Sequence, residues 1–273
     1  MADEFSLFTS LRYDPVLLEA ASKGIDYAGW NTANESPFYM LDYHRDRMLR
    51  AATHWQWDKA VQLLSGQKGL ETLVKSAEKF IGSSQKTPLR FKVVVSREGI
   101  MSFEKNNTAP VGIENLLPLR LPSPDSPSTP QEPKKAPCWA IVLDGAQTAS
   151  SEYTHFKTTK REMYDSSRQR LAIALTDERE VLLINKDDGS IMEGSLTTPY
   201  FWRDGQWVTP PVSAAYSLGA GSGGQDGTSR RWALERGLAI EQPVPASSLV
   251  DGEECWISNG VRGFIAGVVR LKQ

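Results

Sequence analysis

The sequence predicts a two-domain α+β chain, and three observations carry that expectation. Helical periodicity dominates the first part, strands alternate with short helices in the second, and a proline-rich stretch separates them. The separator runs from Pro118 to Pro137, PLRLPSPDSPSTPQEPKKAP, with seven prolines. Proline fixes φ and removes a backbone donor, so this stretch forms neither a helix interior nor a central strand. The expected division is a smaller α/β domain over 1–117, a linker or exposed loop over 118–137, and a C-terminal domain over 138–273.

Before the break, DYHRDRMLRAATHWQW (Asp42 to Trp57) puts Tyr43, Arg47 and Ala51 on one helical stripe, with Met48 and Ala52 beside it and Asp42 as N-cap. Gly69 to Ile81 carries Leu70, Leu73, Val74, Ala77 and Ile81 at helical spacing. Arg90 to Ser96 reads as a strand by its β-branched content. After the break, Trp139 to Asp144 is a short strand. Arg161 to Leu175 is a helix with Tyr164, Arg168, Leu171 and Leu175 on one face. Glu180 to Asn185 and Ser190 to Leu196 form a hairpin through the turn ending in Asp188-Gly189. Gln206 to Thr209 is a strand entered through Asp204-Gly205. A glycine-rich loop over 218–228 then runs into a helix from Ser229 to Arg236, and Glu254 to Ser258 is a last buried strand.

Composition excludes several function classes. Thirty-one Lys and Arg face 33 Asp and Glu, a formal charge of −2, so neither nucleic acid nor an anionic membrane is an expected partner. Only three histidines and two cysteines are present, without a Cys-x-x-Cys or His-x-x-x-His spacing, so no metal site and no disulfide scaffold is expected. No run approaches the roughly 18 apolar residues of a membrane span. Residues 1–12 lack a basic start followed by an apolar core, and the cytoplasm is the expected compartment.

Three places could carry chemistry. The glycine loop (Gly221, Gly223, Gly224, Gly227) ahead of Thr228-Ser229 is either a phosphate cradle at a helix start or a surface loop that caps a helix. Lys157, flanked by Phe156 and two threonines, is either a desolvated nucleophile or one more solvated cation. Glu193, among apolar neighbours at the end of a hairpin, either faces water or meets a buried positive partner such as a pyridinium nitrogen.

Taken together, these residues resemble a known family. Lys157-Thr-Thr-Lys-Arg-Glu-Met-Tyr164-Asp165, followed by Arg168, is similar to the lysine region of fold-type IV pyridoxal-phosphate enzymes. Thirty-six residues on, Glu193-Gly-Ser-Leu-Thr-Thr-Pro-Tyr-Phe-Trp202 resembles that family's glutamate motif and following strand. Trp207-Val-Thr-Pro210 with Gly227-Thr-Ser-Arg230, and Ile257-Ser-Asn-Gly-Val-Arg-Gly263, look like its two phosphate-contacting regions. His44-Arg-Asp-Arg47-Met48 matches its His-x-x-Arg-Leu helix. The five motifs stand in the family's order over residues 5–267.

The resemblance implies a D-amino acid aminotransferase-like fold with a β-rich C-terminal domain and the cofactor pyridoxal 5'-phosphate between the domains. It implies Lys157 as the Schiff-base lysine and catalytic base, Glu193 as the partner of the pyridine nitrogen, and Arg47, Thr228 and Ser229 as phosphate ligands, with Ser258 and Asn259 completing the cradle. Arg12, Arg97, Thr197 and Thr198 are the candidate substrate contacts, and Tyr164 either meets the cofactor or packs on its helix face. A homodimer is implied by the same analogy. Three departures stand out: Pro199 occupies a position where the family commonly has Asn, Phe5 to Arg12 begins at what is usually a later strand, and the glycine loop is longer than the family's. Within the family, the short N-terminal domain and the Lys-Thr-Thr-x-Arg-x-x-Tyr-Asp string resemble the 4-amino-4-deoxychorismate lyases. The alternatives are an aminotransferase for a branched-chain amino acid, a D-amino acid or an R-amine, and a non-catalytic relative.

Overall fold

The computed structural model describes residues 4–271 apart from positions 125, 128, 131 and 218. The chain divides into two compact units, Met1–Ile113 with Phe156–Lys160, and Glu114–His155 with Arg161–Gln273. The division differs from the sequence expectation in one instructive way: the five residues around Lys157 leave the second unit and belong to the first.

The first unit comprises β1 (Leu7–Tyr13), α1 (Trp30–Ala33), α2 (Leu41–His54), α3 (Asp58–Leu64), α4 (Gly66–Ile81), β2 (Leu89–Val95) and β3 (Met101–Asn107). Its sheet has the order β1-β2-β3, antiparallel throughout. Directly opposed residues share a face. Leu7, Thr9 and Leu11 therefore line up with Val95, Val93 and Phe91, and all six are buried. The edge strand β3, MSFEKNN, is too polar to read as a strand because almost all of it faces water. The helix expected from Asp42 to Trp57 ends early, at His54: Gln56 takes a left-handed φ of 54°, and α3 starts afresh at Asp58. Asp42 is not the N-cap. Met40 holds that place at φ 50°, and Asp42 lies in the first turn, where its charge favours the helix dipole.

Helix α5 (Ile113–Leu116) carries the chain into the second unit, which begins at Glu114, and the proline-rich stretch follows it. Asp125, Ser128 and Gln131 of that stretch lie outside the described residues. The rest does not hang free as a linker. The buried indoles of Trp207 and Trp256 donate to the carbonyls of Leu121 (3.1 Å) and Pro122 (3.3 Å), and the buried Glu132 carboxylate accepts from Arg120 and from the Thr129 amide. Buried indoles need acceptors, and a proline-rich segment has carbonyls to spare. It is a strap along this unit.

Behind the strap come β4 (Cys138–Thr148), α6 (Glu152–His155), α7 (Glu162–Arg170), β5 (Arg179–Asn185), β6 (Ile191–Gly194), β7 (Thr198–Arg203) and β8 (Gln206–Thr209). The chain ends with α8 (Thr228–Glu235), β9 (Ile240–Glu241), β10 (Glu254–Asn259) and β11 (Gly263–Val269). The eight strands form one sheet in the order β6-β5-β4-β11-β10-β7-β8-β9, in which β4 runs parallel to both β5 and β11. Trp139, Ile141, Leu182, Phe201, Val208 and Ile257 build its core. Helix α7 stops at Arg170 instead of reaching Leu175, because Ala172 turns left-handed (φ 49°), and Leu175 is exposed. Pro199 is the second residue of β7, ahead of Phe201 where pairing with β8 begins, a strand start that tolerates proline.

Candidate functional site

In the first unit, Lys157 is held by backbone pairing. The Phe8 amide donates to the Lys157 carbonyl (3.2 Å) and the Thr159 amide to Ser6 (2.9 Å), laying this segment along β1. The half-buried ammonium stands 5.1 Å above the Phe8 ring. Helix α2 buries His44, Arg47, Met48 and Ala51, an i, i+3, i+4, i+7 face. Arg47 donates from Nη2 to Thr9 Oγ1 at 2.7 Å, and the same hydroxyl lies 2.5 Å from His44 Nδ1. Burial, then Arg47, then Lys157 hold the His44 pKa well below its ordinary value, so the ring is neutral. Two cations around a neutral imidazole give this cluster the positive potential that an anion requires.

In the second unit, β6 presents Glu193. The pairs Leu183↔Glu193 and Ile184↔Ile191 leave Met192 unpaired, a bulge that re-aims the strand at this point. Leu183, Met192 and Tyr164 pack together there. From α7, Tyr164 donates its hydroxyl to Glu193 Oε1 at 2.5 Å while accepting from Gln225 Nε2 at 2.8 Å. Burial and the Glu193 charge push the Tyr164 pKa far up, so the phenol stays a donor. Glu193 is only 8% exposed. Of the two roles expected of Tyr164, packing is seen, and the residue also orients the acid.

The turn after Glu193 is tied to a second buried acid, Glu180. This carboxylate accepts from Ser195 Oγ (2.6 Å), the Leu196 amide (3.1 Å) and Thr197 Oγ1 (2.9 Å), while Arg168 bonds Ser195 Oγ (2.9 Å) and lies 3.4 Å from Glu180. Gly194 permits this closeness: a Cβ there would come within 2.4 Å of Thr197 Oγ1 and 2.9 Å of Glu180 Cγ. The glycine loop lies against the same elements. A Cβ on Gly224 would meet the Met192 carbonyl at 2.7 Å, and one on Gly227 would meet Thr198 Oγ1 at 2.8 Å. Leu218, the first residue of the loop as read from the sequence, lies outside the described residues.

Thr228 and Ser229 open α8 and are buried. The Ser229 and Ser258 hydroxyls are 2.8 Å apart, and Tyr200 continues the chain to Ser258 at 2.8 Å. Asn259 is spent differently: its Oδ1 accepts from the Val261 and Arg262 amides and its Nδ2 reaches the Leu196 carbonyl, so it shapes the β10–β11 turn. Of the candidate substrate contacts, Arg12 is fully buried, with its guanidinium on Asp14 and on the Ala109 carbonyl. Arg97 is exposed in the β2–β3 turn. Thr197 is bonded to Glu180, and Thr198 is buried beside Gly227. The structure thus gathers Lys157 and Arg47 around His44 in the first unit; in the second it pairs Ser229 with Ser258 and sets Glu193 against Tyr164. The sequence reading passed over Thr9, Glu180, Tyr200 and Gln225. Thr9 interrupts the alternate apolar row of Leu7 and Leu11, and Glu180 directly precedes the apolar run Val181 to Ile184, the one signal that marks them.

The donor set fits pyridoxal phosphate. A buried carboxylate held by a tyrosine suits a pyridine nitrogen, a primary amine suits an aldehyde, and a buried hydroxyl pair at a helix start suits phosphate. The comparisons agree with the class this defines. The profile of the amino-transferase class IV family matches residues 27–268, and the chain belongs to that family. Its mixed α+β fold with a curled sheet is that of the fold-type IV aminotransferases. A solved structure from Mesorhizobium loti, provisionally named an amino-acid aminotransferase, matches with a TM-score of 0.63 at 20% identity, over 97% of this chain and 100% of that one. Among curated proteins, the chain is 32% identical over 150 residues to the aminodeoxychorismate lyase of Saccharomyces cerevisiae, covering 49% of this chain and 38% of that one. It is 29% identical over 145 residues to a provisionally named aminodeoxychorismate lyase of Schizosaccharomyces pombe, covering 51% and 58%. The matched stretches thus span less than two thirds of either relative. No helix among the described residues is long and apolar enough to cross a membrane.

Proposed function

We propose that this chain is a pyridoxal-phosphate-dependent lyase that converts 4-amino-4-deoxychorismate to 4-aminobenzoate and pyruvate, acting as a cytoplasmic homodimer. The observation that carries the cofactor is Glu193, a buried acid oriented by Tyr164. The likeness to the two yeast proteins supports the lyase over an aminotransferase.

Each residue then has a defined task. Lys157 supplies the primary amine that would hold the cofactor's aldehyde and that, when free, would take the proton from the amine-bearing ring carbon of the substrate. The Glu193 carboxylate, its orientation fixed by Tyr164 and Gln225, would accept a pyridine N–H and keep that nitrogen protonated. Arg47 and the hydroxyls of Thr228, Ser229 and Ser258 hold phosphate; Asn259 keeps the turn beside Ser258 in place. Pyridoxal phosphate, when bound, would supply an electron sink for the pair released at the substrate carbon, and the Lys157 ammonium would return its proton to the enolpyruvate leaving group, which becomes pyruvate.

The test is a spectrum of the purified protein with added cofactor, followed by a direct assay for 4-aminobenzoate and pyruvate. Lys157→Ala is expected to abolish turnover. Full turnover in that variant would overturn the reading, and bleaching of the cofactor band by D-alanine, L-leucine or an R-amine would redirect it to an aminotransferase. Size-exclusion mass measurement tests the dimer.

A further inference from the structure

We propose that Thr9 and His44 are positioning residues that hold Arg47 ready for an anion, and thereby set the preference of this protein for a phosphorylated over an unphosphorylated ligand. The proposal rests on the assignment of Arg47 to phosphate made above.

Thr9 is the single polar side chain in the buried β1 row with Leu7 and Leu11, and it is fully buried. A hydroxyl in such a place is stable only with partners, and two lie within reach: Arg47 Nη2 at 2.7 Å and His44 Nδ1 at 2.5 Å. Donor chemistry fixes the direction of the Arg47 contact. A guanidinium only donates, so Thr9 Oγ1 accepts from Arg47. The hydroxyl proton remains available for His44 Nδ1, and the relay we propose has that nitrogen accept it, with the neutral ring's hydrogen on Nε2. Burial and the two neighbouring cations keep the ring in this neutral form. His44 and Arg47 stand one turn apart on α2, so the helix and β1 together fix both ends of the relay.

An arginine side chain has several rotatable bonds and loses that freedom when it grips an anion. Pinning one terminal nitrogen before the ligand arrives sets the plane of the fork in advance. The benefit reaches only a ligand that carries phosphate. A ligand with the same ring and aldehyde but no phosphate does not draw on it.

The experiment titrates the purified full chain with pyridoxal 5'-phosphate and, separately, with pyridoxal, followed by absorbance. Thr9→Val keeps the shape and removes the hydroxyl; Thr9→Ser restores it. Thr9→Val and His44→Leu are expected to weaken pyridoxal phosphate by about tenfold or more while changing pyridoxal by less than about twofold, and Thr9→Ser is expected to recover the wild-type value. Thr9→Val binding pyridoxal phosphate like wild type would overturn the relay. So would an equal loss for both ligands, which is the mark of a merely structural residue. Wild-type protein that binds no pyridoxal phosphate would overturn the cofactor reading instead, and inorganic phosphate then decides the relay. Its stabilising shift in thermal midpoint should be present in wild type and Thr9→Ser and lost in Thr9→Val, and equal shifts in all three would overturn it.

Discussion

Replacing Glu180 by alanine tests whether the turn that follows Glu193 is held from beneath by a buried acid. The substitution strips the acceptor from Ser195 Oγ, the Leu196 amide and Thr197 Oγ1, and leaves Arg168, itself 5% exposed, facing a site with no carboxylate. Breaking a buried ion pair by removing one partner costs about 3–5 kcal/mol, and each stranded buried polar group about 1–3 kcal/mol. These losses share one site and do not add, so the expected destabilisation is about 4 kcal/mol, a large share of the roughly 5–15 kcal/mol that holds a domain together. With an m-value of about 3 kcal/mol per molar urea, the midpoint falls by about 1.3 M. Urea titration followed by circular dichroism measures it. A loss below about 1 kcal/mol would refute the argument. The double variant Glu180→Met with Arg168→Met sharpens it. An apolar pair of similar volume should recover much of the stability. Ser195, Leu196 and Thr197 remain without their acceptor, so cofactor affinity should stay low.

Further outcomes follow from the same structure. Tyr164→Phe removes the donor to Glu193 and should cost about 1.5–3 kcal/mol, read as an equal loss in cofactor affinity or thermal stability; unchanged values would show that Glu193 is oriented without it. Gly227→Ala puts a methyl group 2.8 Å from Thr198 Oγ1, so cofactor binding should weaken, as measured by the absorbance titration. His44 is held neutral with its pKa below the unfolded value of 6.5, so between those two values the unfolded chain binds the extra proton. Its stability contribution is complete above pH 6.5 and is lost as pH falls below it. His44→Leu should flatten the thermal midpoint against pH in that window, and an unchanged slope would refute the assignment.

Much of this molecule was determined by local sequence. The amphipathic stripe of α4, the β-branched run of β2 and the hairpin of β5 and β6 are all legible, because each depends on neighbours a few residues apart. Even Arg47 on the buried face of α2 follows from spacing. What only the tertiary structure decided involves partners far along the chain. Nothing near Thr9 indicates that its hydroxyl serves an arginine 38 residues away, and nothing near Leu121 indicates an indole 86 residues on. Arg12 and Asn259 carry chemistry suited to ligands, yet folding assigns their donors and acceptors to Asp14, Ala109 and a strand turn. Sequence determines which groups a chain possesses. The fold determines which of them are already occupied, because a buried polar atom must be satisfied by whatever the topology brings beside it.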